Sequence, residues 1–221
     1  VEPLSSVRKC TTLSVAAHTL YEKTNPYILP GPGGHLDLAE TTFEQDSENT
    51  VKVKGTRYVT APKYTIKLEG AKCIGYRTVS VAGTRDPIMI SKIDDIVEGV
   101  RARVADNYRD KGYKYNLNFT IYGKNGVMGD LEPVKDAHPH ELGIVIEVVA
   151  DTQEQADTIC ASARSTMLHY GYEGRRATAG NLAFPFSPSD FHAGRVYVFS
   201  MYHIIEVEDP TSLFPIDIVT L

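Results

Sequence analysis

Residues 73–108, "CIGYRTVSVAGTRDPIMISKIDDIVEGVRARVADNY", decide the fold. The first eleven read as a strand ending at Gly83. A helix follows, with Asp86 as its cap and Pro87 at the first helical position, where a missing N–H costs nothing. Met89, Ile93, Ile96, Val97, Val100 and Val104 recur at helical spacing, while Asp94, Asp95, Glu98 and Arg101 form a solvated face. A strand feeding a helix through a three-residue turn is half of a βαβ unit.

The other half lies downstream. "YKYNLNFTIYG" alternates, with Tyr115, Leu117, Phe119 and Ile121 on one side and Asn116, Asn118 and Thr120 on the other, as in a strand with one wet face. "LGIVIEVVA" is a nearly all-apolar strand. Asp151, with Glu154 three residues on, reads as a capping box opening a second helix. Ala156, Ile159, Cys160, Ala163 and Met167 are its buried stripe, and Gly171 its stop. "RVYVFSMYHIIEVE" is a long final strand. The order strand–helix–strand–strand–helix–strand predicts an α+β, ferredoxin-like split βαβ sandwich over residues 73–207, with two helices on one face of an antiparallel sheet.

Ahead of it, residues 1–70 read as a separate region: a helix over 12–23 capped by Thr11 or Thr12, a turn-rich loop "YILPGPGGHLD", and two strands, "LDLAETTFEQ" and "TVKVKGTRYV", joined by "DSEN". "KYTIKLEG" is a further strand. This region offers little apolar surface for a core of its own, which predicts that it packs on a partner or a missing half. The second domain is then 71–221.

The predicted topology places three unusual connections at one end of the sheet: "AGTRDP", "GKNGVMGDLEPVKDAHPHE" and "EGRRATAGNLAFPFSPSDFHAG". The second is far longer than the roughly two to five residues a hairpin needs. The opposite turns, "RDKG" and "DT", are short. Long loops clustered at one end of a rigid sheet are the usual setting of a site.

Arg85, Arg175 and Arg176 in these loops are candidates for an anion clamp, since a guanidinium meets a carboxylate or phosphate in bidentate fashion. The alternative is that Arg85 or Arg176 pairs with Asp86 or Asp190 and staples the loops. Asn181, Ser187 and Ser189 join the substrate-binding candidates, and Asp190 and His192 are the acid/base pair nominated for catalysis. A Ser-His-Asp triad is disfavoured, because its members rarely crowd within six positions and no G-x-S-x-G elbow is present. His138, His140 and Glu141 in "AHPHE" read as an exposed loop and not as a metal site; no metal is expected, and no cofactor is specified. "PGPGGHLD" lacks the strand and helix that a nucleotide-binding loop requires, so Gly33, Gly34, His35 and Asp37 read as a tight turn.

Composition narrows the function. A net charge of −5 disfavours a nucleic-acid binder, and no apolar run approaches the roughly 20 residues that span a bilayer. Cys10, Cys73 and Cys160 have no paired spacing, so they are expected as small buried apolar residues in a cytoplasmic protein. Val1 at the start is expected to reflect processing or trimming.

"TTLSVAAHTLYEKTNPYILPGPGGHLDLAETTFEQ" and "VKVKGTRYVTAPKYTIKLEGAKCIGYRTVSVAGTRDP" resemble the C-terminal half of the AtuA-type family, named for acyclic terpene utilisation. The likeness rests on Leu20, Tyr21 and Glu22, then Asn25, Pro26 and Tyr27, followed by the "VKVKG" and "APKYTIKL" strands. It departs at "PGPGG", where the family has an Asp-containing turn. The resemblance implies a longer protein with a Gly-rich α/β half before this portion. It also implies breakdown of branched or terpenoid acids beside acyl-CoA enzymes, and carries over no catalytic residue. The expected function is a subunit or C-terminal portion of an enzyme acting on a small carboxylate or acyl-CoA substrate by hydration, isomerisation or hydrolysis, with a second polypeptide or a homo-oligomer as partner. The alternative is a non-catalytic association module, for which exposure of Leu182, Phe184 and Phe186 would be the sign.

Overall fold

A computed structural model describes residues 1–176 and 181–220. The protein is α+β, with antiparallel sheets, and divides into two compact units, Val1–Gly70 with Ser200–Leu221, and Ala71–Phe199. The sequence reading grouped 71–221 together; here the stretch from Ser200 onward falls with the first unit.

The first unit opens with helix α1, Thr12–Thr19, shorter than the predicted 12–23. Thr11 is its cap, and the Thr11 and Ser14 side chains each accept from the other's backbone N–H. The expected loop "YILPGPGGHLD" is instead a hairpin, β1 (Ile28–Gly31) with β2 (Gly34–Asp37), turned by Pro32 and Gly33. Strands β3 (Thr42–Gln45) and β4 (Val51–Lys54) pair across "DSEN", where the Gln45 side-chain amide donates to the Ser47 and Thr50 carbonyls. The predicted strand "TVKVKGTRYV" breaks at Gly55. Its φ of +82° and the Glu40 carbonyl, 2.0 Å from where a Cβ would sit, leave room for glycine alone. The remainder, β5 (Arg57–Thr60), joins β2, and the Arg57 guanidinium donates to its cross-strand partner Asp37 at 2.6 Å. The one buried hydrophobic residue among the described residues of this unit is Val51.

Strand β6, Tyr64–Thr84, reaches the second unit beyond Gly70. There follow α2 (Pro87–Ser91), α3 (Ile93–Tyr108), β7 (Tyr115–Tyr122), β8 (Leu142–Ala150), α4 (Gln153–His169) and β9 (Asp190–Val207). The sheet order is β7-β8-β6-β9, with β8 antiparallel to both β6 and β7. The single predicted helix over 86–108 is two, because Lys92 leaves helical dihedrals and its ammonium reaches the Glu173 carbonyl. Asp86 caps α2, its carboxylate accepting from Ile88 N–H at 2.9 Å.

The helical stripes bury as the periodicity requires. Met89, Ile93, Ile96, Val100 and Val104 form one core with Ala156, Ile159, Cys160, Ala163 and Met167, against Leu117, Phe119 and Ile121 of β7 and alternate residues of β8. Gly99 in α3 admits the Tyr170 hydroxyl at the end of α4; a Cβ would stand 1.7 Å from that oxygen. Cys160 is buried as expected, whereas Cys10 is half-buried and Cys73 exposed. Cys73 lies on a stretch of β6 whose side chains are open to solvent, so alternation gives it no cover.

The cap of α4 is Thr152 and not Asp151. Thr152 Oγ1 accepts from Gln155 N–H at 3.2 Å. Thr152→Ala should therefore cost about 1 kcal/mol in urea unfolding and Asp151→Ala almost nothing; the opposite ranking would put the cap back on Asp151.

Candidate functional site

The end of the sheet at which β6 leaves and β8 enters is fixed by the register Gly83↔Gly143 and Thr84↔Leu142, with Tyr122, at the exit of β7, also opposite Gly143. The connection after α4 is pinned to the same end: Gly83 and Ala183 exchange both backbone hydrogen bonds at 2.8 Å. All three long connections thus converge there.

A cleft of about 460 Å³ opens at this junction, with Gly83 and Gly143 as a floor without side chains and Arg85, Glu141, Leu142 and Asn181 around it. Its volume falls in the range of small-molecule sites. Arg85 is exposed and, among the described residues, has no hydrogen-bond or ion-pair partner. The rim is held by a chain of bonds. Asn181 Nδ2 donates to the Tyr172 hydroxyl, which donates to Asp86 Oδ2 at 2.6 Å. Burial pushes the Tyr172 hydroxyl up to about 12, and the Asp86 carboxylate adds to the rise, so Tyr172 is a donor and not a base. Burial pushes Asp86 upward too. The Tyr172 bond outweighs it together with the backbone N–H groups of Ile88 and Met89 and the Arg176 charge, and the carboxyl stays below its ordinary value.

The predicted site residues therefore separate into groups. Arg85 and Asn181 line the cleft, and Arg176 stands in the field of Asp86. Arg175 turns away; its Nη1 donates to the carbonyls of His169 and Tyr170 at the end of α4. The α2 N-terminus already holds an internal anion, the Asp86 carboxylate.

Ser189, Asp190 and His192 lie further down β6, because β9 begins at Asp190 and not at Arg195. The Ser189 carbonyl accepts from the buried Ser80 hydroxyl at 2.9 Å. Asp190 takes a bidentate pair from Arg164, at 2.7 and 3.1 Å, beneath the Phe184 ring. His192 Nε2 sits 2.9 Å from Asp157 Oδ2, whose other oxygen accepts from the Thr78 hydroxyl at 2.5 Å and from Gln153 at 2.9 Å. Thr78 and Thr84 are six residues apart on one strand, a separation of about 20 Å, so Asp190 and His192 do not share the Arg85 cleft. Ser187 is exposed between them.

Sequence reasoning missed Asp157, Arg164, Gln153 and Tyr172. One signal was available: Thr78 and Ser80 are polar at the alternate positions of β6 that face the helices, and both are fully buried, so each needs a partner from α4 or β9.

In the aromatic part of the last loop, Leu182 packs against the core and the Phe184 ring faces the Arg164 guanidinium, while Phe186 is exposed and meets Phe191 edge-on. His140 and Glu141 approach to 4.0 Å. Among the described residues no group of three or more His, Cys, Asp or Glu is placed to hold a metal ion, and no helix is long and apolar enough to cross a membrane.

Fold and site thus define an α+β protein whose loop end carries a small cleft lined by Arg85, an arginine without a partner among the described residues. The chain belongs to the acyclic terpene utilisation family, AtuA, whose family model matches residues 6–191. No curated protein and no solved structure matches it.

Proposed function

We propose that this chain is part of an enzyme acting on a small carboxylate or acyl-CoA compound, by hydration, isomerisation or hydrolysis, in the Arg85 cleft. The observation that carries this reading is Arg85 itself: a cleft-lining guanidinium that has no partner among the described residues and stands beside an amide donor, Asn181. A carboxylate or acyl oxygen would satisfy both. Arg176 adds positive charge, and Glu141, which also lines the cleft, is the acid/base candidate there. Asp190, held by Arg164, then has a structural role, and His192 with Asp157 lies outside the cleft. The strand order β7-β8-β6-β9 and the two helices packed on one face support reading the second unit as a ferredoxin-like sandwich. Three cysteines free of disulfides fit a cytoplasmic setting.

The test is calorimetric titration of the full chain with butyrate. Binding should weaken at least tenfold, about 1.4 kcal/mol, in Arg85→Gln and change little in Arg175→Gln. Equal affinity in wild type and Arg85→Gln would remove the reading.

A second reading, an association module, is favoured by one observation: with Val51 as the one buried hydrophobic among its described residues, the first unit leaves Leu13, Leu20 and Tyr21 exposed. These are the residues for a partner polypeptide or a second copy to cover. Native mass spectrometry of wild type and of a Leu13→Ser/Tyr21→Ser variant separates the two readings, since an assembly lost in the variant supports association.

A further inference from the structure

The loop end holds a second cleft. It is about 410 Å³ in volume and is lined by Lys124, Lys135, Asp136 and His138 of the long β7–β8 connection, and it shares Leu142 with the Arg85 cleft. The two differ in chemistry. The first has one guanidinium and one carboxylate, Arg85 and Glu141, around a glycine floor; the second has two ammonium groups, an imidazole and one carboxylate. Lys135 Nζ donates to the Asp130 carbonyl at 2.9 Å, a neutral partner that leaves its charge uncompensated. Lys124 pairs with Asp94, which is 75% exposed and stands outside the cleft lining, so the ammonium keeps a side open to a ligand. Nearby ammonium groups on a concave wall favour a dianionic oxyanion over a single carboxylate, since each added cation contributes a Coulomb term.

We propose that the lysine-lined cleft binds the phosphate of a ligand whose carboxyl or acyl end occupies the Arg85 cleft. The substrate is then a phosphate-bearing acid or thioester and not a free short carboxylate. This rests on the reading of the Arg85 cleft as the acyl subsite and narrows its substrate class. Leu142 is the shared wall over which such a ligand passes. Asp136 opposes the phosphate, so its removal strengthens binding.

Calorimetry on the full chain tests this with four probes: butyrate, coenzyme A, butyryl-coenzyme A and 3-phosphoglycerate. Lys124→Glu/Lys135→Glu should weaken coenzyme A at least tenfold and leave butyrate unchanged, butyrate serving as the check that the variant is folded. Arg85→Gln should do the reverse, and butyryl-coenzyme A should weaken in both. Asp136→Asn should tighten coenzyme A a few-fold, and added salt should weaken it. Lysine-dependent binding of 3-phosphoglycerate without coenzyme A binding would keep the phosphate site and make the ligand a small phosphorylated acid. Butyrate binding with no lysine-dependent binding of either phosphorylated probe overturns the phosphate site and leaves the acyl subsite standing. Loss of Arg85-dependent butyrate binding overturns the acyl subsite, and the two-part ligand with it.

Discussion

Replacing Asp190 by alanine is expected to destabilise the second unit by about 2–3 kcal/mol, somewhat less than the loss of one partner from a fully buried ion pair. Arg164 and Asp190 are about a quarter exposed, at 24% and 22% of their side-chain surface, and meet through two parallel hydrogen bonds. Without the carboxylate, the guanidinium stays under the Phe184 ring, with most of its surface out of water and its charge unanswered. Replacing both partners by apolar residues, Arg164→Met with Asp190→Leu, should recover most of the loss, because no lone charge remains. Urea unfolding of the two single variants and the double variant measures this directly. Butyrate affinity should not change in Asp190→Ala while the protein is folded. A variant of wild-type stability that no longer turns over its substrate would return Asp190 to an acid/base role.

The stripe Ala156, Ile159, Cys160, Ala163 and Met167 was legible in the sequence because helical spacing alone selects the buried face. The α+β class with an antiparallel sheet needed little more, since the succession strand–helix–strand–strand–helix–strand leaves few arrangements. The cap of α4 was ambiguous for a local reason. Asp151 with Glu154 and Thr152 with Gln155 are overlapping capping boxes one residue apart, and only the path of the chain out of β8 chooses between them. The start of β9 was not legible at all. "SPSDFHAG" has no alternation, and its strand geometry comes from pairing with β6, an interaction distant in sequence. From that one displacement follows the separation of the acid/base candidates from Arg85. Side-chain pairing was equally hidden. A staple between Arg85 or Arg176 and Asp190 was one expectation, but the partner is Arg164, which the helical pattern places on a half-buried flank of α4.

The rim of the cleft should respond to alkali through Tyr172. Its folded pKa of about 12 lies above the ordinary tyrosine value of 10.0, so the neutral hydroxyl is favoured in the folded state. Stability from this source is fully present below pH 10 and is lost as the pH rises from there through 12. Two pH units at about 1.4 kcal/mol each set an upper bound, and partial exposure of Tyr172 reduces it to about 1.5 kcal/mol. Tyr172→Phe should cost about 1–2 kcal/mol at pH 8, since Asp86 loses a hydrogen bond to a charged acceptor. The variant should then lose less than wild type between pH 9 and 11, so the two stability curves converge. All other side chains are the same in both proteins, so their contributions cancel in the difference. Asp86 acts at the other end of the scale. Its carboxyl is held below the ordinary value, so its contribution is present above that value and disappears as the pH falls through the folded pKa. Parallel curves for wild type and Tyr172→Phe in alkali would mean that the tyrosine contributes nothing through its proton. Convergence would tie rim and site together, because Asn181, which lines the cleft, donates to the same hydroxyl. Butyrate affinity should then fall in Tyr172→Phe at pH 8 although the phenyl ring keeps its place in the packing.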